Sequence, residues 1–127
     1  MKVQDFEGAA EVTSEDELKR FLSRRFGEGV NEFWLSHEKN NPALSIMVNG
    51  QLATMHYFTK ERHPGFRSIG KVEGLERGGM STFFTQTPHQ KQPVLNDAVV
   101  PFSVALRAAC EFLHSKQLPG SLEWLEL

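Results

Sequence analysis

The sequence predicts an α+β fold, a largely antiparallel sheet with two main helices packed on one face. Three observations carry this. Asn49-Gly50 sits between two alternating segments in "ALSIMVNGQLATMHYF" (43–58), the signature of a tight β-hairpin. Two segments, 13–26 and 100–116, repeat apolar residues at helical spacing. The remaining ordered-looking stretches are short and bounded by turn residues, which favours hairpins over a parallel sheet.

Each element has its own warrant. "VQDFEGAAEV" (3–12) reads as a weak strand interrupted by Gly8. In "TSEDELKRFLSRRF" (13–26), Ser14 and Glu17 form a capping-box pattern and acids crowd the first turn. Leu18, Phe21, Leu22 and Phe26 make its apolar stripe, and Gly27 and Gly29 end it. "NEFWLSHE" (31–38) is a strand. In the hairpin, a two-residue Asn49-Gly50 loop pairs Val48 with Gln51, Ile46 with Ala53 and Leu44 with Met55. These side chains share a mostly apolar face with Tyr57; Ser45, Met47, Thr54 and His56 occupy the other. A glycine-rich loop follows, with at most one further strand in it, then a strand "MSTFFTQT" (80–87) and a polar connection (88–97). Pro101 suits the first turn of the second helix, whose apolar face comprises Phe102, Ala105, Leu106, Ala109, Phe112 and Leu113. Pro119-Gly120 stops it, and "SLEWLEL" (121–127) is a last short strand. Trp34 and Trp124 are expected in the core, as is one of the adjacent pair Phe83 and Phe84.

The length, 127 residues, suits one domain with a core of its own. One cysteine, Cys110, excludes an internal disulfide and fits a reducing compartment. No apolar run approaches a membrane span, and "MKVQDFEGAAEV" lacks the core of a signal peptide, so a soluble, cytoplasmic protein is expected. Sixteen acidic and 14 basic residues leave a net charge of −2, the wrong balance for a protein that grips nucleic-acid phosphates. The 10 phenylalanines point to aromatic packing.

"HPGFRSIGKVEGLERGG" (63–79) contains Gly65-x-x-x-x-Gly70-Lys71, close to a phosphate-binding loop. The position that would hold magnesium is Val72, and Gly74, Gly78 and Gly79 break the helix such a loop requires. No two of the five histidines have metal-ligand spacing, and no second cysteine is present, so no metal or cofactor is expected. His56 and His63, with Lys60, are the only candidates for metal-free acid–base chemistry, as in a small hydrolase or nuclease. Cys110 lies within the apolar helix and reads as an inert thiol.

Four stretches together resemble a known family: "FLSRR" after an acidic helix start, "NEFWLSHE", "HPGFRSIG" after the hairpin, and "VVPFSVALRAACEFLHSKQLPGSLEW" near the end. Their order and spacing are similar to the first-numbered bacterial immunity-protein family of polymorphic toxin systems, in particular members that guard against a double-stranded-DNA cytosine deaminase toxin. The resemblance covers nearly the whole chain. It implies a small cytoplasmic inhibitor that binds a cognate toxin tightly and occludes its active site, the toxin often being a deaminase-fold enzyme. It carries over no catalytic residues; the net charge and the lack of an apolar span already argue against a nucleic-acid or membrane partner. The loop after the hairpin is the expected partner-binding segment, with Tyr57 at its entry and Phe66, Glu73 and Glu76 within it. Glu7, Glu11, Asp16, Glu123 and Glu126 form the alternative surface.

Overall fold

The computed structural model describes residues 1–38, 41–60 and 62–127. In chain order the elements are β1 (Lys2–Gln4), β2 (Ala9–Glu11), α1 (Glu15–Leu22), β3 (Val30–Ser36), β4 (Ala43–Asn49), β5 (Leu52–Phe58), β6 (Phe66–Ile69), β7 (Met80–Phe84), β8 (Lys91–Leu95), β9 (Val99–Pro101), α2 (Phe102–Ser115) and β10 (Glu123–Glu126). An eight-stranded sheet runs β10-β6-β5-β4-β3-β1-β2, with β9 also paired to β5. Every pairing in it is antiparallel. β7 and β8 form a separate two-stranded ribbon. This is the expected α+β class.

The capping box behaves as read. Ser14 Oγ accepts the Glu17 amide at 3.2 Å, and Glu17 Oε1 accepts the Thr13 amide at 3.2 Å. Hydrogen bonds to the Glu17 carboxylate, first from the Thr13 hydroxyl and then from the Thr13 amide and the Ser14 hydroxyl, hold it below its usual pKa. Helix α1 buries Leu18, Phe21 and Leu22. Helix α2 buries Ala105, Ala108, Ala109 and Phe112. Three alanines let its backbone lie close to the sheet, while Leu106 and Leu113 sit at the margin. Lys116, with φ 57°, ends the helix in the left-handed conformation, and its amide donates to Phe112 O.

The hairpin register differs from the expected one. Asn49 pairs with Leu52, so Gly50 and Gln51 are the two loop residues. Gly50 has φ 61°, which suits the first central position of a type II′ turn. Tertiary tethers select this arrangement: the Gly50 amide donates to Gly29 O, the Phe102 amide donates to Gln51 O, and Asn49 Nδ2 donates to Thr82 O. The shift moves partners by two places, so every side chain keeps its expected face.

The strands differ from the sequence reading at several points, among them β9, which lies where the connection and the second helix were expected to meet. The 3–12 segment is two strands, because Asp5 Oδ1 accepts the amides of Glu7 and Gly8 and reverses the chain. The polar connection contains β8, which pairs with β7 despite Pro93. The glycine-rich loop contains β6, between β5 and β10. Edge sharing explains its glycines. β5 pairs with β9 at residues 52–54 and with β6 at residues 56–57. At the junction Ser68 Oγ accepts the Met55 amide at 3.1 Å and donates to Ala98 O at 2.7 Å. Gly70 passes so close to β9 that a Cβ there would stand 1.8 Å from Val99 O. A Cβ on Gly65, at φ 88°, would stand 2.5 Å from Tyr57 O. The glycines that resemble a phosphate loop are therefore backbone-packing glycines.

The core lies between the sheet and the two helices, and includes Val3, Phe33, Leu44, Ile46, Met55 and Phe112. A polar cluster is buried at its margin. Asn31 Nδ2 donates to Asp5 Oδ2 and Arg24 O, and Arg24 Nε lies 3.1 Å from Asp5 Oδ2. On the other face, the β7–β8 ribbon covers only part of the sheet. It is anchored by Phe83, fully buried, and by Glu32, whose carboxylate accepts Thr85 Oγ1 at 2.8 Å and the Gln86 amide at 3.0 Å.

Candidate functional site

Strand alternation puts Trp34, Ser45, His56 and Arg67 on the face away from the helices. They are direct cross-strand partners, and the row extends to Gln4 at one end and Leu125 at the other. Trp34 was expected in the core. It is instead 41% exposed in the interior of the sheet, because its neighbours Phe33 and Leu35 take the helix side. Trp124 does pack inward: its ring lies 6.5 Å from Tyr57, and its Nε1–H donates to Pro119 O. Of the adjacent pair, Phe83 is buried and Phe84 partly exposed, as expected.

Three rings line up on the open face. Trp34 stacks on Phe58 at 5.8 Å and 20°, and Phe58 stacks on His56 at 6.0 Å and 14°. Concavities flank this stack. One, of about 380 Å³, lies under the β7–β8 ribbon and is lined by Met47, Thr54, His56, Arg67 and Leu95. The other, of about 490 Å³, brings Lys2, Lys60, Arg62 and His63 around Trp34 and Phe58.

The two candidate catalytic histidines have separate engagements. Burial, and secondarily the charge of Arg67, push the His56 imidazole below its ordinary pKa, so it is neutral at pH 7. His63 Nδ1 accepts the Gly65 amide at 2.8 Å, its Nε2 lies 3.3 Å from Glu126, and its ring stacks on Phe66. It thereby ties the loop to the end of β10. Cys110 is buried and its thiol is pushed up, chiefly by burial. Among the described residues, no group of three His, Cys, Asp or Glu gathers as a metal site. Among the described residues no helix is long and apolar enough to cross a membrane.

The expected contact residues divide. Tyr57 is 5% exposed and packs among Phe66, Phe112 and Trp124, so it supports the sheet from within. Burial pushes its hydroxyl pKa up. Phe66 is partly buried against it. Glu73 and Glu76 are exposed on the connection between β6 and β7. That connection is tied back to the ribbon by Asn96, whose Nδ2 donates to Glu76 O at 2.8 Å. The sequence reading missed the Trp34–Phe58–His56 stack. Its signal was present in the alternation of "NEFWLSHE" and "LATMHYF", but which face the helices would cover was not.

Comparison with known proteins supplies the family. Residues 7–126 match the model described as immunity protein Imm1. The chain is 31% identical, over 100% of both chains, to the double-stranded DNA deaminase immunity protein of Burkholderia cenocepacia (strain H111). With nearly every residue inside the family match, this chain belongs to the Imm1 family of immunity proteins.

Proposed function

We propose that this chain binds a cognate bacterial toxin of the nucleic-acid deaminase class and inhibits it by covering its active site, without chemistry of its own. The observation that carries this reading is the full-length relationship to an immunity protein named for a double-stranded DNA deaminase. The open sheet face supplies a physical means. Exposed aromatic residues of this kind are the anchors on which tight protein interfaces depend. A toxin that acts on nucleic acid needs a groove that attracts phosphate, so its rim is basic. Glu73 and Glu76, exposed on the β6–β7 connection alongside Lys71 and Arg77, are the carboxylates offered toward such a rim.

The test is co-expression in bacterial cells of a deaminase-fold toxin domain with this chain. Survival and a normal cytosine-to-thymine mutation rate are expected with the wild type. Glu73→Lys with Glu76→Lys should slow association, most visibly at low salt. Unabated killing by every deaminase-fold toxin tried, with the chain folded and abundant, would overturn the reading.

A further inference from the structure

We infer that the concavity beside Trp34 receives an acidic segment of the toxin, an apolar side chain on the ring platform flanked by carboxylates. This rests on the toxin-binding reading above and assigns the chemistry of one part of its interface. Two kinds of group converge there. Trp34 and Phe58, held parallel at 5.8 Å, form a rigid apolar floor whose ordering cost is met on folding. Around it stand Lys2 from β1 and Lys60 and Arg62 from the turn after β5, brought together from distant parts of the chain. The described ion pairs of the molecule involve none of these three cations. Arg62 is held with φ 72°, a conformation that disfavours any side chain. Three cations that form no ion pair among the described residues, set over an aromatic floor, complement an apolar group with neighbouring carboxylates.

Other occupants fit less well. A nucleic-acid strand needs cations along a track, whereas this face also carries Glu32 beside the stack, and the chain is net negative. Glu73 and Glu76 lie elsewhere, on the β6–β7 connection, where Lys71 and Arg77 offset their charge.

The experiment measures binding kinetics of the purified chain with a deaminase-fold toxin domain that it neutralises in cells, inactivated at its catalytic glutamate. Trp34→Ala should weaken binding roughly 30-fold or more, mainly through faster dissociation. Lys60→Glu with Arg62→Glu should slow association about tenfold at low salt, and the difference should shrink at high salt. Arg107→Glu, an exposed charge reversal on α2, should change neither rate. Wild-type rates in both open-face variants, with protection intact, would overturn this inference and leave the immunity reading standing. Faster association of the Lys60/Arg62 variant would overturn it too, since the partner segment would then be basic. Binding of a labelled single-stranded oligodeoxythymidine to the chain alone, lost in Trp34→Ala, or dimerisation lost in that variant, would assign the face to nucleic acid or to a second copy instead. A wild-type chain that binds no toxin would reject both readings together.

Discussion

On the helix side of β4 and β5, Leu44, Ile46, Val48, Ala53 and Met55 are all fully buried. On the opposite side of the same strands, Met47, His56 and Phe58 are only partly covered, and Trp34 beside them is 41% exposed. The backbone, the register and the twist are common to both faces. What differs is the cover: two helices on one side, a two-stranded ribbon over part of the other. Apolar residues on the helix side are accounted for by packing. A stacked Trp–Phe–His row on a half-open face is not, and it marks the surface available for a partner.

The largest expected effect breaks the scaffold that both faces share. Gly70→Ala drives a Cβ into Val99 O and should cost about 3 kcal/mol or more, or prevent folding. Gly74→Ala, a few residues along the same connection, meets nothing within 4 Å and changes only a residue at φ 91°. It should cost about 1 kcal/mol. Equal denaturation midpoints for the two variants would show that β6 does not press on β9 as described.

A second pair separates the faces directly. Phe112→Ala, on the buried face of α2, should cost about 3–5 kcal/mol. Trp34→Ala should cost only about 1 kcal/mol, because its ring is half in solvent. Urea unfolding of both variants decides this, and similar losses would mean that the open face is a packing surface after all.

How much of this contrast was written in the sequence can be judged residue by residue. Ser14 with Glu17 announced α1, and the Asn49-Gly50 region announced the hairpin, because both signals are local. Alternation also sorted Leu44, Ile46, Val48 and Met55 from Ser45, Met47, Thr54 and His56. The turn position escaped because long-range bonds from Gly29, Thr82 and Phe102 choose Gly50-Gln51 over Asn49-Gly50. Strand β6 was allowed for but not positioned, because the glycines beside it read as loop, while their true role is to clear the backbones of Tyr57 and Val99. Strand β8 escaped because a ribbon with one open side tolerates Pro93 and polar residues. Trp34 was misplaced for the same reason: its exposure depends on where α1 and α2 dock, which no local pattern encodes.

The smallest effect concerns pH. Burial lowers the His56 pKa in the folded chain, whereas the unfolded chain titrates near the ordinary value of about 6.5. Below that pH the unfolded state binds the extra proton and the folded state does not, so stability should fall as pH drops through about 6.5. The loss should level off below the folded pKa. His56→Gln should flatten this part of the profile, and a wild-type slope in that variant would assign the dependence to another group.

The most direct test uses Trp34 as its own reporter. Trp124→Phe leaves Trp34 as the sole tryptophan of the two in the chain. Its fluorescence in the free protein should be readily quenched by acrylamide. On adding the inactivated toxin domain, quenching should fall several-fold and the emission should shift to the blue. A toxin fully inhibited by this variant while Trp34 stays as accessible as in the free chain would contradict the account.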